Sequence, residues 1–291
     1  MGVLLLANSG INRKGKKKMI YELQKDQFIN CKHLLNKERH IEVPAIIEGN
    51  NSGRIFVDNV SEPRSALVWL GNLDGFVFIG DANHTMFNLE IKKVLTEQIA
   101  QEAARLDLKW FEGFGYQVGW DNAIREILCE QSYEESNQKV YKLYESTYKT
   151  YNEPAIDATY TVLKVTKENI VIYSLLEQSF FVSQITSFWD SVESFFEKGI
   201  GHVILHENQV VSLCFSGFVS GNTHTANIET IPEHRGKNLA KKVAHAFVQE
   251  CFKQGYEPYW DCMEVNKPSI AIAESLGFTN IFDYTVYEYQ F

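Results

Sequence analysis

The stretch Ile228-Glu-Thr-Ile-Pro-Glu-His-Arg235-Gly-Lys-Asn-Leu-Ala-Lys-Lys242 changes its period in the middle. Up to Pro232 it carries the β-branched residues of a strand. From Leu239 onward the apolar positions Leu239, Val243, Phe247 and Cys251 recur every four residues, with Ala240, Ala244 and Val248 beside them. That is the stripe of a buried helix. In the short loop between them, Arg235, Gly236 and Lys237 lead into the helix start. The first turn of a helix has main-chain N–H groups without partners and carries roughly half a positive charge, which suits a phosphate or pyrophosphate. Gly236 allows close approach, and Arg235, Lys237, Lys241 and Lys242 place four cations within eight residues. A solvated basic helix start has the same local features, so the elements on either side must separate the two readings.

Working outward, strands are expected at residues 159–165, 202–206, 210–219, 226–231 and 256–263. One or two helices fall within 174–198, another covers 268–276, and 278–291 is mostly β with a last strand at 285–287. The order β, α, α, β, β, β, loop, α, β, α, β describes an α/β fold, a mixed α+β sheet with helices on it. The first half has a similar order: a helix over 24–36, a meander at 54–58, 66–70 and 76–79, a helix over 88–105, a strand at 108–114 and a helix over 120–131. Its loop Gly80-Asp-Ala-Asn-His-Thr-Met-Phe-Asn88 has no Arg-Gly-Lys. The expectation is a duplicated fold with one working loop. The polar segment 131–152 reads as a linker, with a boundary near Pro154, giving domains at 19–150 and 155–291. Residues 1–18 run from apolar to basic, the reverse of a secretory signal, and read as a leader or extension.

The chain has 291 residues, 45% hydrophobic and 22% charged, with a formal net charge of −9. This acidic balance disfavours nucleic acid and mildly favours cationic substrates such as amines. Five widely spaced cysteines with no Cys-x-x-Cys pair fit reduced thiols of a cytoplasmic protein, and the scattered histidines predict no metal. No run reaches the roughly 18 apolar residues of a membrane span.

With these elements in place, Arg235-Gly-Lys-Asn-Leu-Ala240 resembles the signature of the GNAT N-acetyltransferase superfamily: Arg or Gln, two residues, Gly, one residue, then Gly or Ala. Asn238 stands where that family usually has Gly; Asn tolerates left-handed backbone better than most residues. Downstream, Asn266-Lys-Pro-Ser269 followed by Leu276-Gly-Phe278 is similar to the family's Asn-x-x-Ser/Ala helix ending in Gly-Phe. The resemblance covers residues 158–291. Pro232-Glu-x-Arg235-Gly-Lys together with Trp260-Asp-Cys262 is similar to the group that includes zwittermicin A resistance acetyltransferases.

The resemblance implies a C-terminal GNAT-like domain preceded by a duplicated, degenerate one. It implies acetyl-CoA as cosubstrate and transfer of acetyl to a primary amine of a small molecule, such as an antibiotic or aminopolyol. The main chain of Ile228, Glu229 and Thr230 would pair with the pantetheine arm. The amides from Gly236 through Lys237, Asn238, Leu239 and Ala240 to Lys241 would hold the pyrophosphate, within a signature begun by Arg235. Lys237 or Lys241 would screen its charge, and Asn266, with Ser269 in its motif, would contact the coenzyme. Asp261 is the first candidate base, Glu229 the second and Glu264 the third; an Asp that only fixes a nearby loop is the structural alternative. The family's usual acid, a tyrosine, is replaced by Ala273, which leaves Ser269, Tyr259 or water as proton donor. Cys262 reads as a buried thiol rather than an acyl carrier. The missing tyrosine and variant glycine also keep open a non-catalytic acyl-CoA-binding or protein-interaction module.

Overall fold

The computed structural model describes residues 19–35 and 40–291; the expected leader at 1–18 lies outside them. The first half contains β1 (Tyr21–Glu22), a 3-10 helix at Lys25–Leu34, α1 (Glu42–Ile47), β2 (Gly53–Val57), β3 (Ser65–Leu70) and β4 (Gly75–Gly80). It continues with α2 (Thr85–Lys93), a π-helical turn at Val94–Ile99, α3 (Ala100–Arg105), β5 (Trp110–Gly115), α4 (Trp120–Ile127) and β6 (Glu134–Lys142). The second half contains β7 (Tyr160–Lys164), α5 (Lys167–Ile172), α6 (Ser179–Phe188), α7 (Val192–Lys198), β8 (Gly201–His206), β9 (Gln209–Ser220) and β10 (Thr223–Thr230). Then come α8 (Leu239–Lys253), β11 (Glu257–Met263), α9 (Lys267–Leu276) and β12 (Thr279–Gln290).

All these strands join one sheet, in the order β1-β2-β3-β4-β5-β12-β6-β11-β10-β9-β8-β7. Read from either edge the order is the same pattern: β1 to β5 then β12 from one side, β7 to β11 then β6 from the other. Each half thus lends its last strand to the other half. The parallel contacts fall at matching places, β4 with β5 and β10 with β11. This mirrored order is what a duplicated unit with exchanged final strands produces.

The exchange overturns the linker reading of 131–152. Residues Glu134–Lys142 form a strand at the middle of the sheet, paired antiparallel with both β11 and β12. Its polarity misled because polar side chains on this strand meet polar partners from its neighbours: Lys139 bridges Asp283 and Glu264, and Asn137 donates to Glu264. The stretch that follows is also tied down, since Lys149 N–H donates to Leu276 O and Tyr148 Oη lies 2.8 Å from His245 Nδ1. Tyr141 is buried, while Tyr144 and Tyr151 are exposed. The helix at Lys167–Ile172 was not anticipated, and the last β segment is a single twelve-residue strand bent by a register shift between Asn280 and Phe282.

Helix α8 buries the expected stripe: Leu239, Val243, Phe247 and Cys251 pack with Ile204, Val211 and Trp260 of the sheet. Burying such a side chain contributes on the order of 1.5–3 kcal/mol each, enough to fix the helix, and with it the loop before it, against the strands. The first half docks onto this unit through a loop that imitates a strand: Asn51 donates to Gly217 O and accepts from Val219 N–H on β9.

Candidate active site

Strands β10 and β11 stay in parallel register for three residue pairs, Thr223 with Glu257, His224 with Pro258 and Thr225 with Tyr259. From Ala226 on, past a register shift between His224 and Ala226, β10 pairs only with β9, and β11 continues against β6. The strands therefore splay, and a cavity of about 760 Å³ opens between them, the loop and α9. This is within the size range of small-ligand sites.

One wall holds Ile228, Glu229 and Thr230; the floor holds Arg235, Gly236 and the run Asn238, Leu239, Ala240 and Lys241; the far wall holds Trp260, Asn266 and Ser269. Of the residues the resemblance assigns to the coenzyme, Lys237 alone stands off this lining. Its Nζ turns to Tyr160 Oη at 3.1 Å and Glu233 O at 3.3 Å. Lys242 pairs with Glu153 at 2.7 Å, whereas Lys241 lines the cavity and makes no ion pair among the described residues.

The loop has the local geometry an anion needs. Gly236 (φ 76°) and Asn238 (φ 63°, ψ 13°) are both left-handed, and a Cβ built on Gly236 would meet nothing within 4 Å. Asn238 precedes α8 without capping it through its side chain. Among the described residues none accepts a hydrogen bond from the main-chain amides of Gly236 to Lys241. Unsatisfied donors facing a cavity at a helix start are what a pyrophosphate would satisfy.

In the corresponding loop of the first half several amides are already engaged. Gly80 N–H donates to Gln117 Oε1, Asp81 N–H to Arg64 O, and Asn83 N–H to Asp81 Oδ1. A Cβ on Gly80 would lie 2.2 Å from Arg64 O, so the backbone there is packed where that at Gly236 is open. Asp81 adds a carboxylate there, itself paired with Arg64.

Arg235 folds back, Nε donating to Thr230 O at 2.9 Å and Nη2 to Glu229 Oε1 at 3.0 Å. Glu229 also accepts from Thr230 N–H, so its carboxylate is engaged with the loop and its own strand. Asn266 caps α9 by accepting from Ser269 N–H at 3.2 Å, and Ser269 Oγ accepts from Trp260 Nε1 at 3.0 Å. Ala273 is fully buried in the core. Glu264 pairs with Lys139 and Asn137 on the surface, away from the cavity. Cys262 is buried, and burial raises its thiol pKa, as expected for a structural cysteine.

Asp261 lies on the opposite face of β11 from Trp260, at the junction of the two halves. Tyr284 Oη donates to its Oδ2 at 2.8 Å. Burial, and then the charge of Glu42, push its pKa well above the ordinary carboxylate value, while the Tyr284 hydrogen bond pulls the other way. Glu42, at the start of α1, is likewise raised, chiefly by burial. Tyr259, a candidate donor, belongs to this group and not to the cavity; burial and the nearby carboxylates raise its pKa strongly. Glu42 and Tyr284 were missed from sequence. The one available signal was a lone acid in the apolar run Ile41-Glu-Val-Pro-Ala-Ile-Ile47.

A sequence model described as GNAT acetyltransferase matches residues 32–287. The chain belongs to this family. It is 30% identical over 271 residues to an uncharacterized N-acetyltransferase, YdfB, of Bacillus subtilis (strain 168), covering 92% of this chain and 98% of that protein. Among solved structures, a GCN5-related N-acetyltransferase-like protein of Streptococcus suis 89/1591 superposes with a TM-score of 0.66 at 20% identity, over 91% of this chain and 98% of that one. A tandem GNAT protein from the clavulanic acid biosynthesis pathway gives a TM-score of 0.56 at 11% identity, over 93% and 98%. The fold is thus a mixed α/β GNAT-like sheet in a tandem arrangement, and the protein is a GNAT-type acyltransferase. No helix among the described residues is long and apolar enough to cross a membrane.

Proposed function

We propose that the chain is an acetyl-CoA-dependent N-acetyltransferase acting on a primary amine of a small molecule. The observation that carries this is the run of unsatisfied amides from Gly236 to Lys241 at the floor of the β10–β11 cavity. In this reading those amides and Lys241 hold the pyrophosphate, and the main chain of Ile228 to Thr230 holds the pantetheine arm. Asn266 offers its side-chain amide from the far wall, and Glu229 serves through Arg235 to keep the loop in place. Lys237 acts only through the outer side of the loop, by its contacts with Tyr160 and Glu233.

Acetyl-CoA supplies a thioester that a neutral amine can attack. Once ionised, above its raised pKa, Asp261 takes the proton from the ammonium nitrogen onto its carboxylate, which Tyr284 keeps oriented. With Ala273 in place of the family tyrosine, Ser269 Oγ is the cavity hydroxyl assigned to proton return. The narrower likeness to zwittermicin A resistance enzymes, with an antibiotic or aminopolyol as acceptor, rests on the motifs around Arg235 and Asp261. Residues 19–150 and 155–291 are read as the two duplicated units, supported by the mirrored strand order. A cytoplasmic setting is supported by five free cysteines.

The test is calorimetric titration with acetyl-CoA followed by a thiol-release assay over a panel of amines. The reading expects binding, and turnover with at least one amine. Absence of binding at millimolar ligand would overturn it.

A further inference from the structure

Because the amides from Gly236 to Lys241 donate to no described residue, side chains must hold the loop in shape. Arg235 does so from within, through Thr230 O and Glu229 Oε1. A second tie comes from the edge strand of the sheet. Tyr160, the first residue of β7, places its hydroxyl 2.9 Å from His234 Nδ1 and 3.1 Å from Lys237 Nζ. These two residues flank Arg235 and Gly236, so one phenol brackets the turn in which Gly236 takes its left-handed φ. Among the described residues, every hydrogen bond from residues 234–238 to the chain outside 229–242 ends on Tyr160. Tyr160 is itself anchored, its ring packed on the core under α8.

An ammonium group can only donate, so Tyr160 Oη accepts from Lys237 and its own hydrogen goes to His234 Nδ1. His234 is then neutral, with its proton on Nε2. Burial, and then the charges of Lys237 and His206, hold its pKa below the ordinary histidine value, with Glu233 pulling the other way. The His206 ring, across from Tyr160 on β8, backs both partners, its centroid 4.9 Å from that of Tyr160 and 5.0 Å from that of His234. Of Tyr160, His234 and Lys237, only His234 lines the coenzyme cavity.

Resting on the acetyltransferase reading above, we infer that Tyr160 is a positioning residue for the coenzyme: its hydroxyl, acting through His234, holds the loop in the arrangement that binds phosphate. Lys237 is the minor arm, since without it Tyr160 still donates to His234. A loop ordered in advance loses less freedom when the coenzyme arrives, and affinity rises without a new contact.

The test is calorimetric titration of CoA into the full chain and its variants. Wild type is expected to bind. Tyr160→Phe, which removes only the hydroxyl, should weaken CoA about fivefold, the effect of one ordinary hydrogen bond. His234→Leu should do the same, whereas His234→Asn, whose side-chain oxygen can still accept from Tyr160, should stay within about twofold of wild type. Added to His234→Leu, Tyr160→Phe should cause no further loss; added to Lys237→Ala, it should still weaken CoA about fivefold. A Tyr160→Phe chain that binds as wild type does, equal losses for His234→Leu and His234→Asn, or an undiminished Tyr160→Phe effect on top of His234→Leu would each overturn the inference and leave the acetyltransferase reading in place. The two His234 variants need no change at Tyr160, and they decide the point if Tyr160→Phe does not fold. Failure of CoA to bind wild type would overturn both.

Discussion

The Tyr284 hydroxyl reaches past β6 to donate a 2.8 Å hydrogen bond to Asp261 Oδ2 on β11. The contact exists because the halves exchange their last strands, which inserts β6 between the two residues' own strands. It stabilises the ionised carboxylate, against a burial that favours the neutral acid. Tyr284→Phe should therefore raise the Asp261 pKa further and lower kcat/KM about tenfold near neutral pH with recovery at higher pH. A pH profile of kcat/KM measures this, and an unshifted acid limb would remove the hydrogen bond from the proton path.

Asp261 also links pH to stability. Its folded-state pKa is raised, so the native state holds a proton that the unfolded chain has already lost. Stability is then fullest below the ordinary carboxylate range, about pH 4, and falls as pH rises toward the folded-state value. Asp261→Asn should remove this loss and be more stable than wild type by about 1–3 kcal/mol at mildly alkaline pH, with no gain in acid. Thermal denaturation as a function of pH reads the difference directly.

Two lysines four positions apart, one in the loop and one in the first turn of α8, should behave differently. Lys241 lines the cavity, so Lys241→Ala should weaken CoA about three- to tenfold, more at low salt. Lys237 is engaged with Tyr160 and Glu233, so Lys237→Ala should change CoA affinity by less than about twofold. Parallel titrations at two salt concentrations decide it.

Gly236 separates steric room from backbone strain. A methyl group there meets nothing within 4 Å, yet φ is 76°, so Gly236→Ala should cost about 1–2 kcal/mol of stability by strain alone. Equilibrium denaturation in urea provides the number.

The stretch from Ile228 to Lys242 was legible because strand, loop and helix follow one another locally, and the periodicities that build each act over a few residues. The stripe of α8 follows from that. Strand β6 was hidden since its polar residues are answered by Glu264 and Asp283, distant in sequence, rather than by an apolar face. Glu42 was hidden for a related reason: it is buried on α1, which packs against β9 of the other half, and no local pattern records that. Glu229 was read as a candidate base, and only the folded loop brings Arg235 onto its carboxylate.

The central claim is that the amides from Gly236 to Lys241 hold the coenzyme, and that the Gly80 loop, whose amides are partly engaged, holds none. Calorimetric titration of acetyl-CoA into wild type and Gly236→Asp tests it most directly. The prediction is a single site per chain in wild type and loss of binding by more than about a hundredfold in the variant, through steric block and added negative charge. Two sites per chain, or a Gly236→Asp variant that binds as wild type does, would contradict it.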